Sequence, residues 1–427
     1  MSACGLDFGT SNTTLGLAGD AGPRLVALEG NAVTVPSSVF YHRNGGYDLG
    51  RAAIAAYVDG EDGRLMRSLK SVLGSSLIDE TTLVGRQRLK FREVIGSFIG
   101  AVKKRAEAET GARLAQVVHG RPVHFVDNDP AADARAEEVL RALALGAGFE
   151  DVSFQYEPIA AALDYELQVA GEELALIADI GGGTSDFSIV RIGPQRARRP
   201  DRTEDILAND GIRIGGVDFD RKLSLEEVMP LLGFRSAMKR PGVNVPNGYF
   251  HDLATWSAIN RLYEPKVLRD LGELERDCAE PKKIGRLLHV IEEQRGHTLA
   301  LDVENAKIAL AETESTVIDL EWIEKGLSRA LTQPAMFEDT RELAAAIGRR
   351  IDDCLALAGI GREAIDAVFL TGGSTRLAHV HAAILGAVPE ARAVEGDTFG
   401  SVGTGLAIEA ARRYGPAENK RGVQARC

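Results

Sequence analysis

Two short segments about 170 residues apart are written to the same plan, and their pairing constrains the fold more than any other feature. The first is Cys4-Gly5-Leu6-Asp7-Phe8-Gly9-Thr10-Ser11-Asn12-Thr13-Thr14, followed by the apolar Leu15-Gly16-Leu17-Ala18. It reads as a strand, a tight polar turn and a returning strand. In the second, residues 174–180 form a buried-strand run, Gly181-Gly182-Gly183-Thr184-Ser185-Asp186 is the turn, and Phe187-Ser188-Ile189-Val190 returns. Both turns have the form aspartate, apolar residue, glycine, with threonine and serine close behind. Either alone would pass for an ordinary hairpin. Together they imply two related lobes, each built round a sheet, facing one another across a cleft.

A third apolar run, Ala367-Val368-Phe369-Leu370-Thr371, ends in Gly372-Gly373-Ser374-Thr375-Arg376 and leads into residues 377–385, patterned as an amphipathic helix. Strand, glycine turn and helix N-terminus together favour phosphate or another polar ligand group. Residues 157–166 read as a helix with Pro158 at its first position, which holds the carboxylate of Glu157 at the helix start. The section between the second hairpin and the 372 turn is long and mainly helical. It contains a loop-like stretch at 239–249 and a charged helical stretch at 302–314. The basic run 196–202 is expected to be a solvated loop, with an acidic partner as the alternative. His379 and His381 lie two apart on a helix, face different directions and are expected at the surface.

The length of 427 residues suits two to three domains, and 46 glycines against 24 aromatics point to an α/β protein rich in turns. Disorder, collagen and coiled coil are excluded as overall descriptions. With 50 Lys and Arg against 62 Asp and Glu, the net charge is -12, which argues against non-specific adhesion to nucleic acid or an anionic membrane. An anionic small ligand therefore needs local help from a metal ion or converging amides. Cys4, Cys278, Cys354 and Cys427 form no C-x-x-C pair, so neither a zinc site nor a disulfide framework is suggested. With no signal-like N-terminus and no apolar run approaching the ~18 residues of a membrane span, a soluble cytoplasmic protein is expected. Cys427 is not a prenylation signal, which places the cysteine fourth from the end. A Walker phosphate loop, G-x-G-x-x-G after a strand, H-E-x-x-H and G-x-S-x-G are all absent.

What remains is the opposed pair of turns. Glycine lets a backbone approach phosphate closely and point N–H groups at it, and the hydroxyls of Thr10, Ser11 and Thr184 add donors. Asp7 and Asp179 supply hard oxygens suited to a hydrated Mg²⁺.

The runs GLDFGTSNTT at 5–14, VHGRPVHF at 118–125, FQYEPIAAALDYE at 154–166, ADIGGGTSDFSI at 178–189, IRIGGVDFD at 212–220 and VFLTGGSTRL at 368–377 occur in order along nearly the whole chain. In order and approximate spacing the chain resembles the nucleotide-binding domain of the DnaK-type heat-shock chaperones, and in layout most of all the short YegD-type branch. Registration is weaker between about 224 and 302. The resemblance implies the α/β actin-like ATPase (ribonuclease H-like) fold, two lobes each with a core and a peripheral subdomain around a nucleotide cleft. Lobe I would be 1–173 (core 1–35 and 115–173, peripheral 36–114) and lobe II 174–399 (core 174–223 and 312–399, peripheral 224–311). A helix at 400–414 would return to lobe I, followed by a polar tail at 415–427.

Carried over by the resemblance, Gly9, Thr10, Ser11, Gly181, Gly182, Gly183 and Thr184 would contact the phosphates of ATP or ADP, and Asp7 and Asp179 would hold the water shell of Mg²⁺. Lys70 would reach the transferred phosphate, Glu157 would position or deprotonate the attacking water, and Pro122 would couple nucleotide state to conformation. Gly215, Gly216, Gly372, Gly373, Ser374, Arg376 and Asp397 would complete the pocket. Glu304 and Lys307 match the family's adenosine helix, but Ile308 stands where an arginine is expected and Ala311 where a serine is. A guanidinium stack worth about 0.5–2 kcal/mol is lost there.

The implied activity is a slow, chaperone-like ATP hydrolysis that drives a conformational switch, without the family's client-binding module. A small-molecule kinase, a filament-forming protein or a nucleotide sensor on the same fold are the alternatives. Residues 224–302 look longer than the family's segment and carry Met229-Pro230-Leu231-Leu232-Gly233-Phe234, Tyr249, Phe250 and Trp256. They are read as an enlarged subdomain with its own core, or else as a docking face for a protein partner.

Overall fold

The computed structural model describes residues 2–19, 22–84, 87–199 and 202–415. Two compact units emerge, one from residues 1–216, 345–376 and 380–427, the other from 217–344 and 377–379. Residues 416–427, and with them nearly all of the expected polar tail and Cys427, lie outside the described residues.

The first unit holds two sheets of one topology. In the first, the strands run in the order Asp151–Tyr156, Leu114–Arg121, Ser2–Phe8, Asn12–Gly19, Gly22–Leu25, with Thr34–Pro36 also pairing with Asn12–Gly19. In the second the order is Arg392–Glu395, Ala367–Thr371, Glu173–Ile180, Ser185–Ile192, Ile206–Ile212. Each central strand has antiparallel neighbours on the side of its hairpin and parallel neighbours on the other. Antiparallel neighbours need only a tight turn, whereas parallel ones need a long crossover, and helices supply it. Phe8 pairs with Thr13 and Ile180 with Ser185, so four residues turn each hairpin. The duplication read in two turns thus extends to five strands on each side.

Residues 175–180 are buried throughout, as a strand covered on both faces requires. The helix Glu157–Glu166 begins with Pro158 in its first turn and is buried along most of its length. Its small residues let Ala161 share one core with Val118 of the first sheet and Ile177 and Phe369 of the second. The helix Ser401–Tyr414 packs on the first sheet and on Glu157–Glu166. At that crossing a Cβ on Gly405 would lie 1.7 Å from the carbonyl oxygen of Ala160, so only glycine permits the approach.

The second unit is mainly helical, with Pro265–Asp277, Pro281–Glu292 and Gly296–Leu310 and a small antiparallel pair, Ser315–Asp319 with Ser328–Thr332. Met229, Leu232, Phe234, Phe250 and Trp256 are buried. These side chains form the unit's own core.

Two further expectations are corrected. The basic run is solvated only in part: Arg198 and Arg199 are exposed, but Arg196 pairs with Glu172 and Asp205, and Arg202 with Glu166 and Asp205. The two histidines are only partly at the surface. His379 is half-buried, shares a hydrogen bond of 2.8 Å with Thr340 and packs against Phe337, and burial lowers its pKa to about 4. His381, also half-buried, meets Glu395 at 3.4 Å. No helix among the described residues is long and apolar enough to cross a membrane.

Candidate functional site

Because the two hairpins share one register, each places an aspartate at the penultimate position of its first strand, one residue before its glycine turn. One pocket of the first unit gathers both turns. It is lined by Asp7, Gly9, Thr10 and Ser11 from the first hairpin and by Asp179, Gly181, Gly182, Gly183 and Thr184 from the second. The turns nearly touch. A Cβ on Gly182 would lie 2.2 Å from Oγ of Ser11, and one on Gly183 2.6 Å from Oγ1 of Thr10. Glycine at these positions therefore keeps open a backbone-lined cradle that side chains would fill.

Lys70 reaches the same pocket from a short 3₁₀ turn, Leu69–Val72. Its ammonium is buried and donates to Oε1 of Glu157 at 2.5 Å. Burial alone would lower the lysine pKa, but Glu157 and then Asp7 outweigh it and raise it, so Lys70 stays charged. Glu157 is fixed in turn at the start of its helix.

The aspartates feel the opposite balance. Burial first, then the charge of Glu157, lifts Asp7 to about 7 despite Lys70. Asp179 is raised well above the usual carboxylate range by burial, with Glu157, Asp186 and Asp7 adding to it. Asp186, absent from the sequence-based assignment, is 1% exposed, and burial and Glu157 push it up to about 7. Its Oδ1 accepts the Val123 N–H at 2.6 Å, tying the second hairpin to the backbone just after Pro122. Four carboxylates thus face one lysine in a desolvated space. This excess of negative charge is what a divalent cation would neutralise. Among the described residues no three His, Cys, Asp or Glu side chains are grouped to ligate a metal directly. The donor set and the cradle both fit Mg²⁺ with a polyphosphate.

The other assigned residues fall into three groups. Gly372, at φ 83°, and Gly373 line the pocket, and a Cβ on Gly372 would come within 2.7 Å of Oδ1 of Asp179. Gly215, Gly216 and Ser374 support it from behind. Gly215 packs on the backbone of Gly182 and Gly183, Gly216 N–H donates to the Gly181 carbonyl at 3.0 Å, and Ser374 Oγ donates to the same carbonyl at 3.1 Å. Arg376 and Asp397 are not among the lining residues, and Asp397 Oδ1 accepts the Phe399 N–H at 3.2 Å. Glu304 and Lys307 lie on Gly296–Leu310 in the second unit, where Lys307 pairs with Asp220 at 2.7 Å.

Sequence reasoning missed Asn12, Thr371, Thr398, Phe399 and Val402 of the lining, as well as Asp186. Asp186 had a legible signal, because it stands directly opposite Asp179 in the hairpin register. The others had none, since nothing local marks which face of a loop turns towards a distant turn.

Comparison with known proteins agrees with this geometry. The family described as Hsp70 protein matches residues 3–227, just over half of the chain. The chaperone protein DnaK of Thermosipho melanesiensis is 28% identical over 414 residues, a span covering 95% of this chain and 58% of the relative. The chain thus spans less than two thirds of that relative's length.

Proposed function

Because the chain belongs to the Hsp70 family, whose members are actin-like ATPases, we propose that it binds MgATP between its two glycine turns and hydrolyses it slowly as a chaperone-like conformational switch. The observation that carries the reading is the opposed pair of backbone cradles beside a carboxylate cluster with one paired lysine.

Phosphoryl transfer to water asks mainly for positioning and charge neutralisation. The N–H groups and hydroxyls of residues 9–11 and 181–184 would grip the phosphates from two sides. Lys70, kept protonated by Glu157, would direct its ammonium at the transferred group. Glu157, anchored by Lys70, would orient the attacking water and receive its proton. Asp7 and Asp179 would hold Mg²⁺, which neutralises charge on the phosphates when bound. Asp186 would transmit hairpin movement to Val123 and so to Pro122, giving the switch a physical connection. The roles of Gly215, Gly216, Glu304, Lys307, Ser374, Arg376 and Asp397 on the nucleoside side belong to the same proposal.

Asp7→Asn and Asp179→Asn are expected to abolish Mg²⁺-dependent phosphate release in a single-turnover assay. Near-normal rates in either variant would refute the assignment.

A further inference from the structure

Phe399 is a large apolar side chain left 46% exposed, and it lines the same pocket as the glycine turns. The other lining residues are glycines, hydroxyls, carboxylates, an amide and a lysine, with Val402 the one further apolar side chain. Val402 is only 7% exposed, so Phe399 alone presents a broad apolar face there.

The loop that carries it is firmly held. Asp397 Oδ1 accepts the Phe399 N–H at 3.2 Å, and the Asp397 carbonyl accepts N–H groups from Gly400 at 3.3 Å and Ser401 at 3.2 Å. The Thr398 carbonyl accepts the Gly372 N–H at 3.2 Å, locking this loop to the glycine turn beside Asp179. A Cβ on Gly373 would lie 3.3 Å from Cε1 and 3.5 Å from Cζ of the ring, so the absent side chain lets the ring edge lie close to that turn. A half-exposed aromatic on a hydrogen-bonded loop, next to a cradle that suits polyphosphate, matches a ligand that is anionic at one end and flat at the other.

We infer that Phe399 is the stacking face for the nucleobase of the bound nucleoside triphosphate, favouring the larger purine ring over a pyrimidine, with Asp397 as its positioning residue. The inference rests on the nucleotide reading above.

The test compares MgATP with Mg²⁺-tripolyphosphate, which has the charge and no base, by titration calorimetry on the full chain. Phe399→Ala is expected to weaken MgATP about tenfold and leave tripolyphosphate affinity unchanged, while Phe399→Tyr retains both. In Phe399→Trp, the new indole emission is expected to be quenched by ATP and not by tripolyphosphate. Equal losses for both ligands, undiminished ATP affinity in Phe399→Ala, or unquenched emission would overturn the inference. Wild-type protein that binds tripolyphosphate but gains nothing from the base would also overturn it and leave the phosphate site standing. Binding of neither ligand would remove the nucleotide reading and this inference with it.

Discussion

Lys70 and Glu157 are 87 residues apart in the chain and meet at 2.5 Å, which leaves Asp7, Asp179 and Asp186 without a cation of their own. An acid whose pKa is raised on folding contributes stability below its unfolded pKa and loses it as pH rises through the folded value. Above about pH 7 the metal-free protein therefore carries an electrostatic cost at Asp7 and Asp186, and burial and the neighbouring carboxylates raise Asp179 in the same direction. Asp179→Asn should thus stabilise the metal-free fold by about 1 kcal/mol or more while removing turnover, a trade common at functional sites. Urea melts with EDTA at pH 8 check it. A second residue-scale prediction concerns Arg213, whose guanidinium donates to the Ser71 carbonyl at 3.0 Å and whose N–H donates to Asp127 at 3.1 Å. It braces the turn that bears Lys70. Arg213→Ala is expected to slow turnover by about fivefold, the equivalent of one hydrogen bond of ~1 kcal/mol, with nucleotide affinity nearly kept. Single-turnover rates set against binding isotherms separate the two. Nothing within a few residues of Lys70 or Arg213 announces these contacts.

Hairpins, helices and their crossings set the next scale. The two four-residue turns were readable because turn chemistry is local. The crossing of Ser401–Tyr414 with Glu157–Glu166 was not, because Gly405 matters only through the Ala160 carbonyl on a distant helix. Gly405→Ala is expected to destabilise the protein by about 1–3 kcal/mol or more through overpacking, although alanine is the better helix former. Thermal unfolding measures it. The sheets are also joined by His124 and Asp210, whose side chains lie 3.6 Å apart, with Arg350 on the same carboxylate at 3.2 Å. The neighbouring Asp210 carboxylate raises the His124 pKa against partial burial. That contribution is fully present below the unfolded value near 6.5 and is lost as pH rises through the folded one. The imidazole is 42% exposed, so the effect is small, below about 1 kcal/mol. The stability difference between wild type and His124→Gln should accordingly be larger at pH 5.5 than at pH 8.5.

For the molecule as a whole, a ligand that binds only the folded state stabilises it by mass action. MgATP at a hundred times its Kd is expected to add about 2.7 kcal/mol, and EDTA to remove most of that, as read from melting temperatures. The charge of -12 does not oppose such binding, because amides, Lys70 and a metal act locally and at close range. By itself the sequence determined the α/β class, both Asp-x-Gly hairpins, the Pro158 helix start and the glycine turn at 372. These rest on periodicity and turn chemistry within a few residues. Through its family likeness it also indicated Lys70 and Glu157. Only the tertiary structure decided that Asp186 joins the carboxylates of the two hairpins. It likewise decided that Arg196 and Arg202 are neutralised, that Met229, Leu232, Phe234, Phe250 and Trp256 pack inward, and that Phe399 stays exposed. The physical reason is common to all of these. Burial and charge balance depend on which distant segments share a desolvated volume, and local pattern carries no record of that.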